Sequence, residues 1–232
     1  MDGLSDLPAG LERLVQELDR RVATGGKLDP KAVKVLLREV EVSNSDLEVY
    51  AAFDHDPTES YGRKLVWESP LFEVMVMSWN PGDFSSIHNH GATEWGCVQV
   101  FGAARHNFFH LRDGVLELSR SETLEAGTIR KVNHSLIHQM GNAGAEPFLS
   151  LHIYGTHSPT EGITDNAANY DLVGERVIYA SGGAFLQIPA HEINSETFGL
   201  KVTDQVWESQ LPLLMDFFKR QESYPKTFIK VR

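Results

Sequence analysis

The sequence predicts a mainly β protein, an antiparallel sandwich or barrel with helical segments at both ends. Between about Leu65 and Pro189, short segments rich in β-branched and aromatic residues (LFEVMVMSW, WGCVQVF, HNFFHL, VLELS, TIRKV and PFLSLHIY) are divided by Pro-Gly, Asp-Gly and Ala-Gly pairs. Close spacing of that kind suits strands joined by hairpins. Outside this stretch, apolar residues recur three and four apart, the period of a helix face. Hydrophobic residues make up 41% and charged residues 23%, enough apolar material for a core.

In chain order, Leu11, Leu14, Val15 and Leu18 form one helical stripe, and Val33, Leu36, Leu37 and Val40 form a second. Gly25-Gly26 ends the first helix. Asp29-Pro30 starts the next, with a capping carboxylate before a proline whose fixed φ suits the first helical position. Asn44 to Phe53 reads as a third short helix. Residues 1–60 are therefore expected to form a helical layer on the barrel, and residues 61–190 the barrel itself. VIYAS and AFLQIP read as two more strands after Ala168. Residues 191–232 are expected to be a C-terminal helical extension, centred on WESQLPLLMDFFKR from Trp207 to Arg220 in spite of Pro212.

Charge and composition exclude several function classes. A formal net charge of -11 repels nucleic acid and anionic membrane. No segment approaches the ~18 apolar residues that cross a bilayer. The first residues, MDGLSDLPAGLERLVQELDRR, are acidic and amphipathic, unlike a secretory signal. A single cysteine, Cys97, excludes an internal disulfide and suits a reducing compartment. The expected address is the cytoplasm, where the glycosylation triplet Asn133-His134-Ser135 carries no weight. The expected partners are small molecules, with neither nucleic acid nor membrane among them, and the chain is expected as a monomer or homodimer.

The chemistry sits in two histidine motifs. On a strand, residues two apart face the same way, so His88 and His90 project together. The first segment runs Gly82, five residues, His88, one, His90, three, Glu94, seven, Gly102. It resembles the first cupin motif, with one residue too many before the last glycine. The second runs Gly127, five residues, Asn133, one, Ser135, two, His138, three, Asn142. That is the spacing of the second cupin motif, with Asn133 and Ser135 where the family usually has proline and glycine. The resemblance implies a cupin fold, a double-stranded β-helix or jelly-roll barrel, with His88, His90 and His138 on one metal. Three neutral imidazoles leave open positions on an octahedral ion, which suits iron, manganese, nickel or zinc in a catalytic role. His106, His110 and His134 read as surface or supporting residues.

LLREVEVSNSDLEVYAAFDHDPTESYGRKLV, SWNPGDFSSIHNH and IHQMGNAGAEPFLSLHIYG narrow the choice. They resemble the cysteine dioxygenase family of thiol dioxygenases, from about Leu11 to Pro189. The resemblance is most specific in Tyr61-Gly62-Arg63, in His88-Asn89-His90 and in Ser150-Leu151-His152-Ile153-Tyr154. It implies Fe(2+) on the three histidines and a small thiol plus O2 converted to a sulfinic acid. L-cysteine fits best, and 3-mercaptopropionate is the alternative.

Ser150, His152 and Tyr154 alternate on one strand and share a face, so His152 can bridge the hydroxyl and the phenol. In the resemblance these residues are catalytic, and Tyr61-x-Arg63 is the pattern that holds the substrate carboxylate. The permanently charged fork of Arg63 matches such a group.

Two residues raise separate questions. Many cupins use the glutamate at Glu94 as a fourth metal ligand, whereas cysteine dioxygenases do not. Glu94 is expected to ligate the metal, to contact the substrate amine, or to face solvent. Some family members join a cysteine to the active-site tyrosine through a thioether. Ungapped alignment back from Gly102 puts Trp95 at that position and Cys97 two residues further on, so no crosslink is expected. The rival functions are another metal-dependent cupin enzyme that uses Glu94, whether oxygenase or isomerase, and a non-catalytic cupin that binds a small molecule.

Overall fold

In the computed structural model, which describes residues 4–25, 27–159 and 162–221, the two helical stripes become α1 (Ala9–Ala23) and α2 (Pro30–Val40). Asp29 caps α2 by accepting from the Lys31 and Ala32 backbone N–H groups, with Pro30 next to it. Gly25 has φ +70°, a conformation that side-chain-bearing residues avoid, so α1 stops there; Gly26 lies outside the described residues. A Ser43–Asp46 capping box opens α3 (Asn44–Leu47), which tightens into one 3-10 turn ending at Tyr50, short of Phe53.

The strands are β1 (Gly62–Glu68), β2 (Phe72–Trp79), β3 (Ile87–His88), β4 (Trp95–Val100), β5 (Ala104–Arg112), β6 (Val115–Leu124), β7 (Ile129–Val132), β8 (Ile137–Gly141), β9 (Phe148–Gly155), β10 (Ala167–Asp171), β11 (Arg176–Ala180), β12 (Ile193–Phe198) and β13 (Lys201–Val202). They form a five-stranded sheet ordered β1-β2-β9-β4-β7 and an eight-stranded sheet ordered β12-β11-β10-β3-β8-β5-β6-β13. The fold is mainly β, a cupin barrel with helices on both outer faces.

Strand alternation sorts the side chains into layers. From the five-stranded sheet, Phe72, Val74, Val76, Cys97, Leu151 and Ile153 point outward into a core completed by Leu11, Leu14, Leu18, Leu36 and Leu37 of the helices. Burying each such leucine is worth about 2 kcal/mol, which binds α1 and α2 to the barrel. Met75, Met77, Trp79, Val98, Val100 and Tyr154 point inward and meet Ala104, Leu124 and Met140 of the other sheet. Strands covered on both sides bury every residue, as β2 and β9 do.

Two segments differ from the sequence reading. AFLQIP is not a strand, because its backbone groups find partners outside any ladder. Ala184 N–H donates to the Tyr61 phenol oxygen, Leu186 N–H donates to Ser60 Oγ, and Ala184 C=O accepts from Ser86 N–H. The tail is also not helical throughout. β12 pairs with β11 and β13 with β6 before α4 (Asp204–Arg220) begins. β12 is a half-exposed edge strand, so INSETF carries no apolar alternation to read.

α4 covers the outer face of the eight-stranded sheet, where Val206 joins Ile87, Phe109 and Leu116. Gln210 and Gln139 exchange two buried amide hydrogen bonds of 2.9 and 2.7 Å, and Arg220 pairs with Asp83 at 2.8 Å. Among the described residues, no helix is long and apolar enough to cross a membrane.

Candidate active site

His88 on β3 and His138 on β8 are directly opposed in the ladder, and His90 lies in the turn after β3. All three rings reach the barrel interior, with residue exposures of 8%, 3% and 2% in that order. One nitrogen from each lies within 4.8 Å of the others, and His138 Nε2 stands 3.0 Å from His90 Nε2.

Burial disfavours the charged form of each ring. It lowers His88 to about 4, and it holds His90 and His138 well below the usual imidazole range with help from neighbouring histidines. Neutral rings offer lone pairs. His88 Nδ1–H donates to the Ser86 carbonyl at 2.9 Å, which leaves its Nε2 bare towards the cluster. His138 Nδ1 is engaged by His106 Nε2 at 2.6 Å, so its own Nε2 also faces inward. Converging lone pairs on buried, neutral imidazoles fit a divalent transition metal.

Beside the histidines lies a small cavity that opens to the surface, with Tyr61, Arg63, Met75, Met77, Tyr154 and Asn169 in its wall. Arg63 stands across the β1–β2 ladder from Met77 and shares its inward direction. It makes no hydrogen bond or ion pair with another described residue, so a half-buried cation is left facing the cavity. Tyr61 stacks on Trp79 at 4.7 Å between ring centroids, and burial pushes its phenol up to about 12.

On β9, Ser150 Oγ lies 2.8 Å from His152 Nε2, and His152 Nδ1 lies 2.8 Å from the Tyr154 hydroxyl. The sequence pattern pointed to this row but not to its anchor. Trp79 Nε1–H donates to Ser150 Oγ at 2.8 Å. An indole nitrogen can only donate. Ser150, fully buried, must give its own hydrogen to His152 Nε2 or leave it without an acceptor. His152 then carries its proton on Nδ1 and donates to the Tyr154 oxygen. The phenol hydrogen stays free to point into the cavity. Burial lowers His152 to about 3 and raises the Tyr154 phenol above its usual range, so the row is neutral with the phenol protonated. The Tyr154 ring stands 5.5 Å from His90.

Other sequence-predicted residues fall elsewhere. Glu94 is exposed and outside the histidine cluster. Its carboxylate accepts from His157 N–H and from Thr156 Oγ, contacts that lower its pKa and fasten the chain after β9. Of the three readings open for Glu94, this geometry leaves the solvent-facing one. His110 and His134 are exposed, whereas His106 is 2% exposed and packs behind His138. Trp95 and Cys97 face the helical layer, not the cavity.

Comparison with known proteins supplies an independent line. The family model described as Cysteine dioxygenase type I matches residues 5–164. Cysteine dioxygenase type 1 of Rattus norvegicus is 28% identical over 152 residues, which cover 63% of this chain and 72% of that protein. The Danio rerio protein of the same name is 27% identical over 154 residues, covering 63% and 75% respectively. Among solved structures, an uncharacterized conserved protein with a double-stranded beta-helix domain from Klebsiella pneumoniae is 20% identical. That match covers 49% of this chain and 90% of the other, with a TM-score of 0.38.

Proposed function

The chain belongs to the cysteine dioxygenase type I family, and from that premise we propose that it is a mononuclear iron(II) thiol dioxygenase acting on a small thiol amino acid, L-cysteine first. One observation carries this reading. The guanidinium of Arg63, unpaired among the described residues, and the phenol of Tyr154 line the same small cavity as His88 and His90.

Arg63 binds the substrate carboxylate through its fork and so fixes the substrate's orientation. The amine and the thiol then lie towards the three imidazoles. His88, His90 and His138 would hold a ferrous ion, which would supply a Lewis-acidic centre able to keep the thiol as thiolate and to let dioxygen react at its sulfur. Both atoms of dioxygen end on that sulfur, so thiol plus O2 balances to the sulfinic acid with no external reductant. Tyr154 holds one O–H donor beside the reacting atoms. The row His152, Ser150 and Trp79 keeps that phenol oriented and protonated. Met75, Met77 and the Tyr61–Trp79 stack exclude water from the cavity wall.

A four-ligand oxygenase or isomerase would need Glu94 at the metal, and the Glu94 carboxylate is held at the surface by Thr156 and His157. The test is metal content together with oxygen uptake over L-cysteine, 3-mercaptopropionate and cysteamine. Cysteine-dependent uptake, with one sulfinate formed per O2, is the expected result. Iron-loaded protein that consumes no oxygen with any thiol would overturn the reading.

A further inference from the structure

His106 lies on β5, its Nε2 2.6 Å from His138 Nδ1. Its other nitrogen, Nδ1, is buried without a hydrogen-bond partner and lies 3.7 Å from Glu122 Oε1. Glu122 is the direct ladder partner of His106 on β6, and Arg130 Nε–H donates to the same carboxylate oxygen at 2.9 Å. Arg130, Glu122, His106 and His138 are therefore aligned from the barrel's edge to the histidine cluster, with a 3.7 Å step between Glu122 and His106.

Proton counting gives the row a direction. His138 can offer Nε2 to a metal only when its proton sits on Nδ1. That N–H needs an acceptor, and His106 Nε2 is the atom in place. His106 must then carry its own proton on Nδ1, the atom that faces the Glu122 carboxylate. We infer that His106, backed by Glu122, is a positioning residue that fixes His138 in its metal-binding tautomer and makes it the strongest donor of the three histidines. The inference rests on the reading of that cluster as a metal site.

The three rings are backed unequally. His88 leans on the neutral Ser86 carbonyl, and His90 has only the neutral backbone of Asn133 beside it. His138 alone leans on a second imidazole whose far nitrogen faces a carboxylate, an arrangement that ties its donor strength and the metal affinity to Glu122 at the barrel's edge.

The experiment uses the full chain and Co(2+) as the probe. It reads the dissociation constant by competition with a chelating dye and the high-spin electron paramagnetic resonance spectrum of the bound ion. Glu122→Gln should weaken binding about 10-fold and His106→Phe about 100-fold, the range for losing such supporting groups. The His106→Phe spectrum should also shift. His106→Gln, whose side-chain oxygen can still accept from His138 Nδ1–H, should recover most of the loss. The exposed neighbour Glu125→Gln should bind as wild type does.

Wild-type affinity and spectrum in both Glu122→Gln and His106→Phe would overturn the inference while leaving the metal site standing. Failure of the wild-type protein to bind Co(2+) would overturn the metal site itself. Should His106→Phe not fold, Glu122→Gln decides alone, because its side chain is 24% exposed and the swap keeps its shape.

Discussion

Gly96 lies directly across the β4–β9 ladder from Tyr154, while Cys97 faces the opposite side of the sheet. The Cys97 thiol donates to the Pro30 carbonyl at 3.3 Å, and burial pushes its pKa up to about 12. Trp95, which ungapped alignment placed beside the tyrosine, shares the outward face with Cys97, so the register points to Gly96. A Cβ added there would run into the Ile153 carbonyl oxygen, so the ladder favours glycine at that point. The expected outcome is an uncrosslinked Tyr154. Intact-protein mass should stay unchanged after iron and thiol turnover, and Cys97→Ala should keep most of the activity. A loss of two hydrogens that vanishes in Cys97→Ala would overturn this.

Arg63→Ala should damage turnover of L-cysteine far more than turnover of cysteamine, which has no carboxylate to hold. Removing one partner of a desolvated charge pair costs about 2–5 kcal/mol, a 30-fold loss or more in kcat/KM. The side chain has no other described partner, so the fold should be untouched. Equal losses for the two thiols would remove Arg63 from the carboxylate site.

Trp79→Phe keeps a ring stacked on Tyr61 but deletes the N–H that donates to Ser150. The buried hydroxyl then loses a bond worth about 1–3 kcal/mol in that setting, and the proton order along Ser150, His152 and Tyr154 is no longer enforced. Metal content should hold while the rate falls and more oxygen is consumed per sulfinate formed. Tyr154→Phe should show the same signature more strongly. Wild-type coupling in both variants would reduce the row to packing.

What the sequence displayed follows from distance along the chain. His88, His90 and His138 were readable because each motif is one strand–turn–strand unit whose local spacing sets the geometry. Ser150, His152 and Tyr154 were readable because a strand's period is two. Trp79 and Ser150 are 71 residues apart, and only the β2–β9 register brings them together. The His106–Glu122 pairing depends likewise on the β5–β6 register, which a bulge between Phe108 and Phe109 shifts. AFLQIP misled for a different reason. It is apolar enough for a strand, but its hydrogen bonds go to Ser60, Tyr61 and Ser86.

His138→Ala should lose metal and activity together, since it removes one of three converging nitrogens and strands the His106 Nε2 that leans on it. Elemental analysis after chelator treatment checks this. Full iron stoichiometry in that variant would dismantle the three-histidine site.

Behind the β2–β3 turn, Asp83 gathers His55 Nε2 at 3.0 Å, Arg220 Nη1 at 2.8 Å and the Asn80 backbone N–H at 2.7 Å. This knot joins α4 to the loop before β1 and to the turn that leads to His88. The hydrogen bond to Asp83 raises the His55 pKa above its usual value, outweighing the opposing effect of burial. The folded value therefore lies above the unfolded value of about 6.5. Such a group stabilises fully below the unfolded pKa and loses that contribution as pH rises through the folded pKa. His55→Gln should lower the melting temperature most near pH 6, and the gap to wild type should narrow by pH 9, where only a neutral hydrogen bond remains to be lost. Melting curves of the two proteins across that range test it. A gap that widens with pH would mean that His55 is neutral in the folded protein and that Arg220 alone balances Asp83.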